Sequence, residues 1–152
     1  MAGIGYNSKI IVYNQVGGRV GEPLIWFGIM LDSVRIEIRE AVSVSAAGRR
    51  AENACTAKIH DSDLPVPYAS PTAWRDLEDQ LSAVTFESGK TFFIITDKAD
   101  IGAEADAPAG RLPDADYTGG LIAYLGKQYG RVYEVNTADH YSLIPHWALG
   151  GK

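Results

Sequence analysis

Three histidines, His60, His140 and His146, are the residues of this 152-residue chain whose type could hold a metal or move a proton. His140 and His146 lie six positions apart, and His60 precedes Asp61 and Asp63. Zinc sites use two histidines at helical spacing or tight Cys/His clusters, and neither pattern is present. Surface or interface histidines are expected, with no metal and no cofactor. Cys55, His60 and Asp61 could be drawn as nucleophile, base and orienting acid. The odd separation of Cys55 and His60, however, puts them on opposite faces of one straight strand. Cys55 reads as a small buried hydrophobe. No catalytic residue and no enzyme are expected. Gly17-Gly18-Arg19-Val20-Gly21 is a glycine-rich loop after a strand. A phosphate cradle needs a helix next; here Glu22-Pro23 and an apolar run follow. Arg49-Arg50 is one basic pair, enough for a salt bridge and too little for nucleic-acid binding.

The elements that must position these residues read as mainly β. Hydrophobic residues make up 46% and charged residues 22%, the balance of a folded domain. Sixteen glycines and seven prolines imply many turns. One domain over 1–152 is the simplest division. The net charge of −5 argues against a reader of duplex DNA. It does not argue against a protein past which DNA slides, because a channel should repel phosphate. A single cysteine allows no internal disulfide, and a reducing site of synthesis fits. No secretory leader pattern and no apolar run near 20 residues is present, so a soluble protein of cytoplasmic synthesis is expected.

Residues 1–8 read as a flexible arm, and Ile10-Ile11-Val12-Tyr13 as a short strand. The apolar run 24–31 reads as a buried strand with a bulge at Gly28. After Asp32-Ser33, Val34, Ile36 and Ile38 alternate with Arg35, Glu37 and Arg39, which predicts a half-exposed antiparallel strand. Residues 53–60 are its expected hairpin partner, with Cys55, Ala57 and Ile59 inward. Ser70 or Thr72 as cap, Pro71 at the first position and a Trp74, Leu77, Leu81 stripe predict a helix of about three turns over 70–81. Residues 83–86 and 91–95 are expected to form a second hairpin, and 119–129 a short helix. Residues 131–136 and 143–149 are expected as the closing strands. The predicted architecture is a small antiparallel β-barrel or sandwich with one short helix packed across it and one long acidic loop.

That loop, 97–117, carries Asp97, Asp100, Glu104, Asp106, Asp114 and Asp116 against Lys98 and Arg111, so it holds nearly all of the net charge. At the other extreme is the apolar end, 141–152, with Leu143, Ile144, Trp147 and Leu149. A large side chain left in water forgoes about 1.5–3 kcal/mol. The end must therefore lie in the chain's own core or against another subunit.

The same stretch, Ser142-Leu143-Ile144-Pro145-His146-Trp147-Ala148-Leu149-Gly150-Gly151-Lys152, resembles the terminal strand of the minor capsid, or head–tail joining, proteins of tailed phages and PBSX-type prophages. Ile10-Ile11-Val12-Tyr13-Asn14 is similar to that family's opening strand. Trp74 followed by Phe86-Glu87-Ser88-Gly89-Lys90-Thr91 is similar to its middle. Ser88-Gly89-Lys90 stands where the family has Gly-Asp, and 102–129 has no counterpart. The resemblance implies a structural neck component of the stopper or head-completion type, assembled in the host cytoplasm and resident in the virion. Its implied partners are copies of itself in a ring, portal or adaptor proteins above, and tail terminator or tube proteins below. DNA passes without sequence-specific contact, and no membrane is involved. Leu143, Ile144, His146, Trp147, Leu149 and Lys152 become candidate interface residues, and the six acids become channel-facing. The alternatives are a tail terminator or other tail-proximal ring protein and, in another class, a small bacterial ligand-binding or enzymatic β-barrel.

Overall fold

In the computed structural model, residues 5–38, 54–96 and 107–152 are described. Seven strands form one antiparallel sheet: β1 (Ser8–Val16), β2 (Ile25–Ile38), β3 (Cys55–His60), β4 (Phe92–Ile95), β5 (Gly110–Pro113), β6 (Tyr133–Tyr141) and β7 (His146–Gly151). The order β1-β4-β6-β7-β3-β2 returns to β1, closing a six-stranded barrel, and β5 adds to the free side of the start of β2. Among the described residues two α-helices accompany the sheet: α1 (Pro71–Arg75) and α2 (Leu121–Tyr129).

The barrel closes because each strand presents apolar residues at every second position. Ile10 and Val12 of β1, Cys55, Ala57 and Ile59 of β3, Phe93 and Ile95 of β4, Tyr133 and Val135 of β6, and Leu149 of β7 fill the interior. β1 and β4 are apolar on the outer face as well. Ile11, Tyr13 and Ile94 pack there with Trp26, Leu112 and the buried face of α2, Leu121 and Leu125. A run that is apolar on both faces is what a strand buried between two layers requires. Close approach inside the barrel wall requires glycine at Gly28 and Gly151. A Cβ on Gly28 would lie 2.9 Å from the Tyr13 ring, and one on Gly151 would lie 2.8 Å from Tyr133 Cβ.

The apolar run and the alternating segment on either side of Asp32-Ser33 are one strand, β2. Its bulge is at Asp32-Ser33 and not at Gly28. Ser8 opposes Val34 and Ile10 opposes Leu31, so two residues of β2 face Lys9 alone. The extra residue lets both Leu31 and Val34 point inward, fully buried. The expected pairing of β2 with β3 is present, with Val34 opposite Ile59 and Ile38 opposite Cys55. Residues 39–53, which include the expected turn, lie outside the described residues, as do 1–4 and 97–106.

Two expected elements differ. Residues 83–86 do not pair with β4, which lies between β1 and β6. They are extended and buried, with a single parallel bridge from Val84 to Tyr68. The Asn14 side chain holds them: its Nδ2 donates to Thr85 O at 2.8 Å, and its Oδ1 accepts from Thr91 Oγ1 at 2.5 Å. The helix expected over 70–81 is only α1, capped by Ser70 and started by Pro71. Its apolar stripe survives the break, because Leu77 and Leu81 still pack with Trp74 and Phe27. Gln80 supplies the carbonyl for the Trp74 indole N–H at 3.1 Å.

α2 forms where expected, from a start that has no side-chain cap of its own. Gly120 stands at the cap position at φ 94°, in the left-handed region that favours glycine. Asp114 does the capping: its Oδ1 accepts from Leu121 N at 2.9 Å and from Trp26 Nε1 at 3.0 Å. The described part of the expected acidic loop is therefore not all loop, since 110–113 is β5 and 114–116 a 3-10 turn.

Candidate functional site

The β6–β7 hairpin brings the three histidines to one end of the barrel. Register puts His60 of β3 beside His146 of β7, His146 beside Tyr141 of β6, and His140 beside Trp147. Strand alternation then divides them between two faces. On the outer face Tyr6 stacks on His60 at 4.4 Å, His60 meets His146 at 6.2 Å, and His146 stacks on Tyr141 at 4.9 Å. On the inner face Trp147 packs against Tyr68 at 4.4 Å, His140 at 4.9 Å and Phe86 at 5.2 Å. Tyr6, within the stretch 1–8 expected as a flexible arm, thus packs on the barrel.

Asp61 ties the hairpin to the end of β3. His140 Nε2 and Asp61 Oδ2 are 2.8 Å apart, and Asp61 N donates to Pro145 O at 3.1 Å. His146 Nδ1 donates to Ile144 O at 2.7 Å, which assigns the proton to Nδ1 because a carbonyl can only accept. These contacts order imidazoles and do not assemble a ligand set. No group of three or more His, Cys, Asp or Glu among the described residues could hold a metal. The paper triad is likewise divided: Cys55 is buried inside the barrel while the His60 ring stacks on Tyr6 outside.

The candidate interface residues separate sharply. Leu149 is wholly buried in the barrel, and Trp147 is half-buried against it. Residues 143–149 were expected as one strand, but Leu143 and Ile144 belong to the turn between β6 and β7 and face water, 96% and 64% exposed. Tyr141 beside them is 51% exposed. Three of the five exposed large hydrophobics among the described residues therefore sit on one hairpin tip. His146 is half-buried. Lys152 pairs its backbone with Glu134 (N to O, 3.0 Å), leaving its side chain in solvent.

No family model, no curated protein and no solved structure matches this chain.

The hairpin also offers backbone. β4 meets β6 only at Glu134 and Tyr133, so among the described residues 138–141 have a strand partner on the β7 side alone. An apolar tip beside an open strand edge is equipped to recognise another polypeptide.

Elsewhere the remaining sequence candidates resolve individually. Of the six acids, Asp97, Asp100, Glu104 and Asp106 lie outside the described residues. Asp114 is the cap of α2, and Asp116 is exposed. Arg49-Arg50 also lies outside. The glycine-rich loop leads into β2, as expected, and borders a polar cavity of about 520 Å³ lined by Gln15, Arg19, Glu22, Arg75, Asp76 and Lys90. Its charges are of both signs, and Glu87 draws Arg75 to 2.6 Å. One feature had no signal in the sequence. Leu64, Pro65, Val66, Pro67 and Tyr68 line an open groove of about 280 Å³ that ends at Asp61. No helix among the described residues is long and apolar enough to cross a membrane.

Proposed function

We propose that this chain is a structural subunit of the head–tail joint of a tailed phage, of the stopper or head-completion type. One observation carries the reading. The segment that holds the family resemblance, 142–152, completes the barrel through Leu149 and leaves Leu143 and Ile144 uncovered at the hairpin tip. One half of the segment thus belongs to the chain's own core, and the other half is offered to a neighbour.

A closed barrel suits ring assembly. It removes most free strand edges, so contact falls to the projecting hairpin. A head-to-tail contact through that hairpin closes into a ring when its rotation closes. The work is geometric, and no bond in a substrate is made or broken. The net charge of −5 keeps phosphate at a distance as DNA passes. Asp114 has a structural part besides, since its Oδ1 accepts from Trp26 and Leu121.

Deleting the gene from a phage that carries it tests the proposal. The expected result is DNA-filled heads that leak, together with free tails. Complete, infectious particles in normal number would overturn it.

A further inference from the structure

We propose that Asp61 is a positioning residue: it fixes the direction in which the β6–β7 hairpin presents Leu143 and Ile144 to an adjacent subunit. The inference deepens the ring reading and rests on it for the presence of that subunit.

Packing does not hold Leu143 and Ile144. Neither belongs to the three buried clusters, and both face water. The ladder between β6 and β7 ends at Tyr141 and His146, and the ladder between β7 and β3 ends at His146 and His60. The turn 142–145 projects beyond those pairs. His146 Nδ1 closes it from within by donating to Ile144 O at 2.7 Å. That bond shapes the turn but does not aim it, because donor and acceptor belong to the same hairpin.

Asp61 supplies the aim. It directly follows His60, the last residue of β3, and β7 lies between β3 and β6. Its carboxylate nonetheless reaches past β7 to β6, where Oδ2 accepts from His140 Nε2 at 2.8 Å. Its N–H donates to Pro145 O in the turn at 3.1 Å. One residue outside the hairpin thus holds both of its arms. The His140 ring is in turn seated against Trp147 at 4.9 Å, so the brace stands on the barrel and not on the tip. The His140 and Asp61 side chains are 35% and 39% exposed, and a pair so open to solvent adds little to global stability. What it restricts is the freedom of a projecting turn. A turn ordered before contact has less freedom to lose on association, so the brace favours binding without new contacts.

The test compares Asp61→Ala with Asp61→Asn in the full chain, since asparagine keeps an oxygen acceptor for His140. Amide relaxation of the isolated chain should show residues 142–144 as ordered in Asp61→Asn as in the parent, and more mobile in Asp61→Ala. Melting temperatures of both variants should stay within about 2 °C of the parent. In a phage that lacks the gene, the parent and Asp61→Asn should restore infectious particles, and Asp61→Ala should restore about tenfold fewer. Unchanged mobility in Asp61→Ala, or particle yields equal to the parent's, would overturn the positioning role. A melting temperature that falls in step with the yield would also overturn it, by making the residue merely structural. A parent gene that restores no particles would overturn the ring reading, and the relaxation comparison would still decide whether Asp61 orients the tip.

Discussion

Trp26 donates its indole N–H to Asp114 Oδ1 at 3.0 Å, and the same oxygen accepts the first free amide of α2. One carboxylate thus joins the outer wall of the barrel to the helix that covers it. Asp114→Ala removes a helix cap and strands a buried indole N–H, so a loss of about 2–3 kcal/mol is expected. Asp114→Asn keeps an acceptor oxygen and should retain most of the stability. Urea unfolding of the two variants reads the difference, and equal losses would show that charge, not hydrogen bonding, matters at this position.

Two glycines should respond oppositely to the same substitution. Gly151→Ala drives a methyl into Tyr133 and Phe93, where a Cβ would stand 2.8 and 3.0 Å from its neighbours. Overpacking of this kind costs about 1–3 kcal/mol. Gly126 lies within α2, and a Cβ there meets nothing within 4 Å. Gly126→Ala should therefore stabilise by about 0.5–1 kcal/mol through helix propensity. Thermal unfolding of the pair checks both signs.

Stability should fall in alkali. Burial pushes the Tyr13 phenol well above its ordinary value, with Tyr129 and Tyr117 adding to the effect, and its hydroxyl donates to Pro108 O at 2.7 Å. Burial also raises Tyr117 and Tyr133. A raised acid keeps its proton when folded and loses it when unfolded. Its stabilising contribution is complete below the unfolded value near pH 10 and declines as pH rises above it. Melting temperatures between pH 7 and 11 should drop beyond about pH 10, and Tyr13→Phe should flatten the drop while lowering stability at pH 7.

Much of the barrel was legible because strand alternation is a local signal. Val34 and Ile36 alternate with Arg35 and Glu37 in the sequence, and they alternate in burial. The mainly β class, the pairing of β2 with β3 and the position of α2 followed from such patterns. The departures share a cause. Asp32-Ser33 looks the same in sequence whether it separates two strands or bulges one, and only the register with β1 distinguishes them. Residues 83–86 have strand composition, but the Asn14 amide directs them across the barrel end instead of alongside β4. β5 was hidden in a glycine- and proline-rich stretch, where its ladder with β2 overrides weak propensity. The convergence of His60, His140 and His146 depends on three strands being neighbours, and no spacing along the chain encodes that. The run 10–13 read only as a short strand; the outer layer over Ile11 and Tyr13 emerges from the packing of Trp26, Leu112 and α2 against them.

The hairpin tip should be dispensable for folding. Leu143 and Ile144 make no contact with the three buried cores, so Leu143→Ser with Ile144→Ser should change stability by less than about 0.5 kcal/mol. Circular dichroism melts of the double variant and the parent should superimpose. A large loss would mean that the tip belongs to the fold and not to a partner.

The most direct measurement is an image reconstruction of the neck of a phage particle that contains this chain. The account predicts copies arranged as a ring between portal and tail, each with Leu143 and Ile144 buried against an adjacent subunit. A chain absent from the particle, or one present with both side chains in open solvent, would contradict it.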